Sequence, residues 1–225
     1  MKALDAVRQS VYAPPWLARW ITHRFHKLYY YRRRQTWCDT RWLGVAVLKC
    51  PLDLWIYQEL VHEIRPDWII ETGTAFGGSA SYFASLCDVL GRGQVLTIDP
   101  LELEGRPRHP RIHYLRGLST APDVLAQVAR VVEGARAVLV ALDSDHSFAN
   151  VLAELRAYHG FVTPGSYCVV EDGNIGGHPV RREFGAGPLE AVRAFLAESD
   201  AFEIDRAREK FYLTFNPSGY LRRVR

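Results

Sequence analysis

Trp68-Ile69-Ile70-Glu71-Thr72-Gly73-Thr74-Ala75-Phe76-Gly77-Gly78-Ser79 passes from a β-branched apolar run through a glycine-rich turn into a helical pattern. Strand, glycine loop and helix in that order begin a strand-helix-strand unit, and the chain repeats the alternation downstream. The first strand is expected over WIIE (68–71), and others at VLTID (95–99), IHYLR (112–116), AVLVALD (137–143) and YCVVED (167–172). Helical periodicity fills the gaps at roughly 79–90, 122–132, 148–159 and 187–198, the last two opening after Ser147 and Gly187. Strands joined through helices run parallel, so residues 61–225 are expected to form one doubly wound α/β domain.

The tail differs. FEIDR (202–206) and KFYLTF (210–215) lie too close together for a crossover helix and are expected to pair as an antiparallel hairpin. Parallel strands closed by such a hairpin resemble the Rossmann-like fold of the class I methyltransferases, a seven-stranded, mostly parallel sheet. The spacing E-x-G-x-x-x-G is not that of a dinucleotide site, and the loop lacks the lysine of a phosphate loop. It matches an S-adenosylmethionine loop, which makes Glu71, Gly73, Thr74, Gly77, Gly78 and Ser79 candidate cofactor contacts, although a tight connection alone would also use such glycines. Asp99 ends the next strand, where a carboxylate can accept from both ribose hydroxyls; it would otherwise be a turn residue before Pro100. Ser119 is placed to meet the adenine edge, or to cap the following helix.

The fourth and fifth strands end in LDSDH (142–146) and VVEDG (169–173), so Asp143, Asp145, Glu171 and Asp172 are expected to converge at the sheet edge that carries the glycine loop. Buried carboxylates in that number repel one another unless a cation neutralises them, and oxygen donors select a hard ion, magnesium first. A single acid there would be read as a helix cap or turn; the cluster is not. A divalent ion can hold an acceptor hydroxyl and lower its pKa beside the methyl donor. His146, three residues after Asp143, is the candidate base, with Asp143 as its catalytic neighbour.

Residues 1–60 have another character. YAPPWLARWITHRFHKLYYYRRRQTW is aromatic and basic and is expected to form a helical appendage outside the sheet, serving as a lid, a dimer contact or an acceptor surface, or simply covering the flank. The chain has 225 residues and a net charge of +3, too small to indicate nucleic acid, and no apolar run long enough to span a membrane. Asp5, Arg8 and Arg19 interrupt any signal-like stretch, so a cytoplasmic location is expected, with peripheral membrane contact as an option. The cysteines at 38, 50, 87 and 168 form neither a CxxC pair nor a metal spacing.

Taken together, IIETGTAFGGSA, LDSDH, VVEDGNIGGHPV and FYLTFNPSGYLRR, with KLYYYRRRQTWCDTRWLG and PLDLWIYQEL ahead of them, resemble the cephalosporin hydroxylase and rhamnosyl O-methyltransferase family. The resemblance runs from about residue 28 to the C-terminus. It implies a magnesium-dependent O-methyltransferase using S-adenosylmethionine on a sugar hydroxyl, with an antibiotic or other small secondary metabolite as the alternative acceptor. By motif position it implies metal on Asp143, Glu171 and Asp172 and cofactor on the Glu71 to Gly78 loop and Asp99. Asp143 is also assigned to the cofactor side. Compared with catechol-type enzymes, His146 stands where they carry a lysine base and Glu171-Asp172 replaces an Asp-Asn pair. The glycine-rich stretch 173–187 is expected to wall the acceptor site, with His178, Arg181, Tyr30 and Trp37 as acceptor contacts. Acceptor partners are a small molecule or an oligosaccharide, and a homodimer or higher homo-oligomer is expected. A non-catalytic S-adenosylmethionine-binding protein and an RNA methyltransferase, the latter suggested by Arg32-Arg33-Arg34, are the competing readings.

Overall fold

The computed structural model describes residues 14–32 and 36–225, so Arg33 and Arg34 lie outside the described residues. A seven-stranded sheet runs through the molecule in the order β5-β4-β3-β6-β7-β9-β8. Its members are β3 (Trp68–Thr72), β4 (Gln94–Asp99), β5 (Ile112–Arg116), β6 (Val138–Leu142), β7 (Tyr167–Val170), β8 (Phe202–Ile204) and β9 (Tyr220–Arg223). The first five are parallel; β9 runs antiparallel to β7, and β8 antiparallel to β9. The order reverses between β3 and its neighbours β4 and β6, which opens a crevice at their carboxyl ends where α/β proteins bind ligands.

Both faces of the sheet are covered, which is why the central strands β6 (VLVAL) and β7 (YCVV) are continuously apolar rather than alternating. On one face α4 (Pro122–Val131), α5 (Phe148–Tyr158) and α6 (Pro188–Glu198) bury a cluster that includes Val140, Leu155 and Phe195. On the other, α2 (Pro51–Ile64) and α3 (Gly78–Leu90) bury one around Tyr57, Phe83 and Ile69. Ser147 caps α5, its Oγ accepting from the Asn150 amide, as the sequence implied.

The closing hairpin is displaced from its expected position: residues 210–215 are not a strand, and β9 supplies the partner of β8. The cause is Asp53 at the start of α2. Its buried carboxylate accepts from Thr214 Oγ at 2.6 Å, the Phe215 amide at 2.7 Å and Tyr220 Oη at 2.9 Å. A side chain thus satisfies backbone that a ladder would otherwise claim. Tyr212 and Ser218 take positive φ of 65° and 64°, which breaks any extended run between them.

Before β3 the chain forms α1 (Pro15–Tyr31), a short β1-β2 pair (Arg41–Trp42 with Val45–Ala46) and α2. Tyr30 of α1 packs with Ile175, Val180, Leu213 and Phe215 in a third cluster, and the His26 ring stacks on Phe215 at 5.5 Å. The aromatic segment therefore covers the loops at the carboxyl end of β7, next to the crevice. No helix among the described residues is long and apolar enough to cross a membrane.

Candidate active site

A cavity of about 580 Å³ lies in the crevice at the carboxyl ends of β3, β4 and β6. Its lining includes Gly73, Thr74, Gly78, Ser79, Asp99, Ser119, Asp143, His146 and Asp172, all singled out by the sequence. Tyr30, Trp37 and Arg181 close another wall, with the Tyr30 and Trp37 rings stacked at 5.3 Å. Three of the four expected acceptor contacts are thus at the cavity. His178 is not among the lining residues: its Nε2 lies 2.8 Å from Glu190 Oε1, at the start of α6.

The glycines of the loop have a reason that the sequence did not show. A Cβ on Gly73 would stand 1.9 Å from the Asp143 carbonyl oxygen, and one on Gly78 2.1 Å from that of Ala46. Both glycines let neighbouring backbone approach, drawing β6 and the β2 extension against the loop. Gly73→Ala, at φ +85°, is therefore expected to cost about 3 kcal/mol of folding stability, read from denaturant unfolding; a loss below about 0.5 kcal/mol would contradict this packing.

Glu71 and Gly77 do not line the cavity. Glu71 lies beneath the loop, fully buried, with Oε2 accepting from Thr97 Oγ at 2.7 Å, and burial pushes its carboxyl up to about 7. At Gly77, positive φ serves the turn into α3. Asp99 ends β4 with Oδ2 accepting from the Ala75 amide at 2.9 Å and Oδ1 from the Leu101 amide at 2.8 Å. Arg106, not anticipated, stands 3.5 Å from Asp99 and donates Nε to the Ala75 carbonyl, bracing the loop against β4. The Ser119 carbonyl accepts from Tyr158 Oη at 2.7 Å, which holds that residue at the cavity wall.

The acids arrive at the crevice because β6 and β7 end side by side. Asp143, Glu171 and Asp172 are all raised above the usual carboxylate range, burial being the largest cause for each. Asp145 stays exposed at the rim, its carboxylate accepting from the Ser147 amide at 2.9 Å. His146 Nε2 is 3.1 Å from Asp172 Oδ2 and 3.9 Å from Asp143 Oδ1. Burial opposes its charged form, but Asp172 and then Asp143 outweigh it and raise its pKa. One ligand atom each from Asp143, His146 and Asp172 falls within 4.8 Å of the others, a spacing that a single ion can bridge.

Sequence reasoning missed Lys49. It sits between β2 and α2, 2% exposed, with Nζ bonded to Asp143 Oδ2 and 2.6 Å from Glu171 Oε1. Tyr57 Oη donates to the same Glu171 oxygen at 2.7 Å. Burial disfavours the ammonium, yet Asp143 and Glu171 more than offset this and raise its pKa. A protein cation therefore balances part of the acid cluster, contacting Asp143 and Glu171 from one side while His146 faces Asp143 and Asp172 from another.

Residues 34–224 match the family model described as Rhamnosyl O-methyltransferase/CmcI. A rhamnosyl O-methyltransferase of Mycobacterium leprae is 41% identical over 207 residues, covering 89% of this chain and 90% of that protein. Its counterpart in Mycobacterium tuberculosis is 38% identical over 208 residues, covering 89% and 84%. Among solved structures, CmcI with magnesium and S-adenosylmethionine aligns at a TM-score of 0.59 and 24% identity, covering 84% of this chain and 78% of that one.

Proposed function

Because the chain belongs to the Rhamnosyl O-methyltransferase/CmcI family, we propose that it is a magnesium-dependent O-methyltransferase that moves the methyl of S-adenosylmethionine to a sugar hydroxyl. The observation that carries this reading is the meeting of Asp143, His146 and Asp172 with the glycine loop in one cavity of about 580 Å³, Glu171 lying buried outside its lining on the shared Lys49. The names of the mycobacterial relatives support the sugar, of rhamnosyl type, and the family the methyl donor.

The residues present fit both groups. Asp143 and Asp172 are hard oxygen donors that line the cavity and would hold magnesium, whereas Glu171, expected as a third ligand, does not line it and is bound by Lys49 and Tyr57, from where it would support Asp143. When bound, the ion supplies Lewis acidity that favours the alkoxide of the acceptor. Asp99, at the end of β4, would take the ribose hydroxyls, and Ser119 the adenine edge. The Tyr30 and Trp37 rings offer an apolar face to a pyranose, and Arg181 a donor at its rim.

His146 would accept the hydroxyl proton. Its neighbouring acids favour the imidazolium, so the basic form, and turnover with it, increases as pH rises through the histidine's pKa. His146→Gln is expected to lower kcat by about 10²-fold or more and to remove that alkaline rise, with magnesium affinity nearly unchanged. A parallel loss of magnesium affinity would make His146 a ligand instead of the base.

The whole reading is tested by incubating the protein with labelled S-adenosylmethionine, magnesium and a panel of rhamnosides and mannosides. Label should pass to a sugar and the transfer should stop on adding a chelator. Turnover that survives complete metal removal would sink the magnesium requirement.

A further inference from the structure

We propose that the outward face of α1 docks this protein on an anionic lipid bilayer. Trp16, Trp20, Ile21, Phe25, Leu28 and Tyr31 are exposed, from 49% for Ile21 to 69% for Trp16. At the helical turn per residue these six spread over roughly half of the helix circumference. The other side is already occupied, since His26 and Tyr30 are buried against Phe215 and Asn174. A helix on a water-soluble domain normally turns its polar side outward; α1 turns its apolar residues there.

Charge selects the occupant. The helix sequence PWLARWITHRFHKLYYY contains Arg19, Arg24 and Lys27 and no acidic residue. Arg24 and Lys27 project among the outward aromatics, Arg24 lying over the Trp20 ring at 5.5 Å. Long basic side chains beside tryptophan are suited to a surface with an apolar layer beneath a negative one, where the stems stay with the rings and the charges reach the headgroups. A second copy of the chain is disfavoured by the same residues, because a two-fold contact would set this face against itself and bring like charges together. The face is also adjacent to the cavity: Tyr30 lines it, and the half-exposed Tyr31 accepts with its Oη from the Arg181 amide at 2.6 Å, so a docked α1 would hold the cavity wall near the headgroups.

The test is sedimentation of the full chain with vesicles of phosphatidylcholine alone and of phosphatidylcholine mixed with phosphatidylglycerol. Binding to the mixed vesicles should exceed that to neutral ones by about tenfold or more at low salt and should weaken as salt is raised. Two surface variants separate the contributions, Trp16→Ser/Trp20→Ser/Phe25→Ser and Arg24→Glu/Lys27→Glu, each expected to lose about tenfold of that binding. Unchanged thermal melting shows that they remain folded. Equal binding of wild type and variants to both vesicle types overturns the proposal. So does a wild-type dimer by light scattering that the aromatic variant dissolves, with no vesicle binding, which would assign the face to a second copy.

Discussion

Lys49→Met is expected to lower folding stability by about 3–5 kcal/mol in the presence of a chelator, because it removes the only partner of a buried ion pair that carries positive charge and leaves its acids behind. Lys49 is 2% exposed and its ammonium touches both the partly buried Asp143 and the buried Glu171. Methionine matches the length of the stem closely enough that little packing is lost, so the effect isolates charge. Magnesium should then recover part of the stability, since a divalent ion meets the same acids. It should also bind the variant about tenfold or more tightly than wild type, whose ammonium opposes it at a few ångström. Denaturant unfolding with and without magnesium, together with calorimetric titration, reads both quantities. A variant as stable as wild type in chelator would show that Lys49 does not neutralise the cluster.

This lysine marks where the sequence stops being legible. Asp143, Glu171 and Asp172 could be placed because each ends a β-branched run, and strand ends in a parallel sheet gather at one edge. Lys49 stands in VLKC, with no periodicity or neighbour to mark it, and reaches the acids only because the β2 extension crosses the glycine loop, Ala46 packing on Gly78. The Glu71 to Ser79 loop was legible for its position, while the glycines at 73 and 78 answer to backbone of Asp143 and Ala46 that no local pattern reveals. The tail shows the same limit. KFYLTF has the composition of a strand, but Asp53, more than 150 residues upstream, captures Thr214 and Phe215 and passes the pairing role to Tyr220–Arg223. His178 likewise follows a nearby acid, Glu190, rather than the cavity. Local composition anticipated elements; long-range polar contacts decided which residues faced the site.

Asp143→Asn should have the largest catalytic effect, because that carboxylate is shared by Lys49 and His146, the two basic side chains that face the acid cluster. One oxygen faces Lys49 and the other His146, and the residue lines the cavity where β6 ends. The amide preserves shape and fold but removes one negative charge and replaces an acceptor by a donor directed at a cation. Turnover is expected to fall by on the order of 10³-fold, and magnesium affinity by about 10²-fold, as for loss of a ligand or its immediate support. S-adenosylmethionine affinity should change only a few-fold, since Asp99, Ser119 and the glycine loop remain. Initial rates at saturating magnesium separate the two losses: activity restored by excess ion would assign Asp143 to metal binding alone. A persistent deficit assigns it also to orienting His146, whose imidazole would then be held by Asp172 without its second acid. If both rate and magnesium affinity stayed near wild type, the acid cluster would be structural, and the methyl transfer would have to be located elsewhere in the cavity.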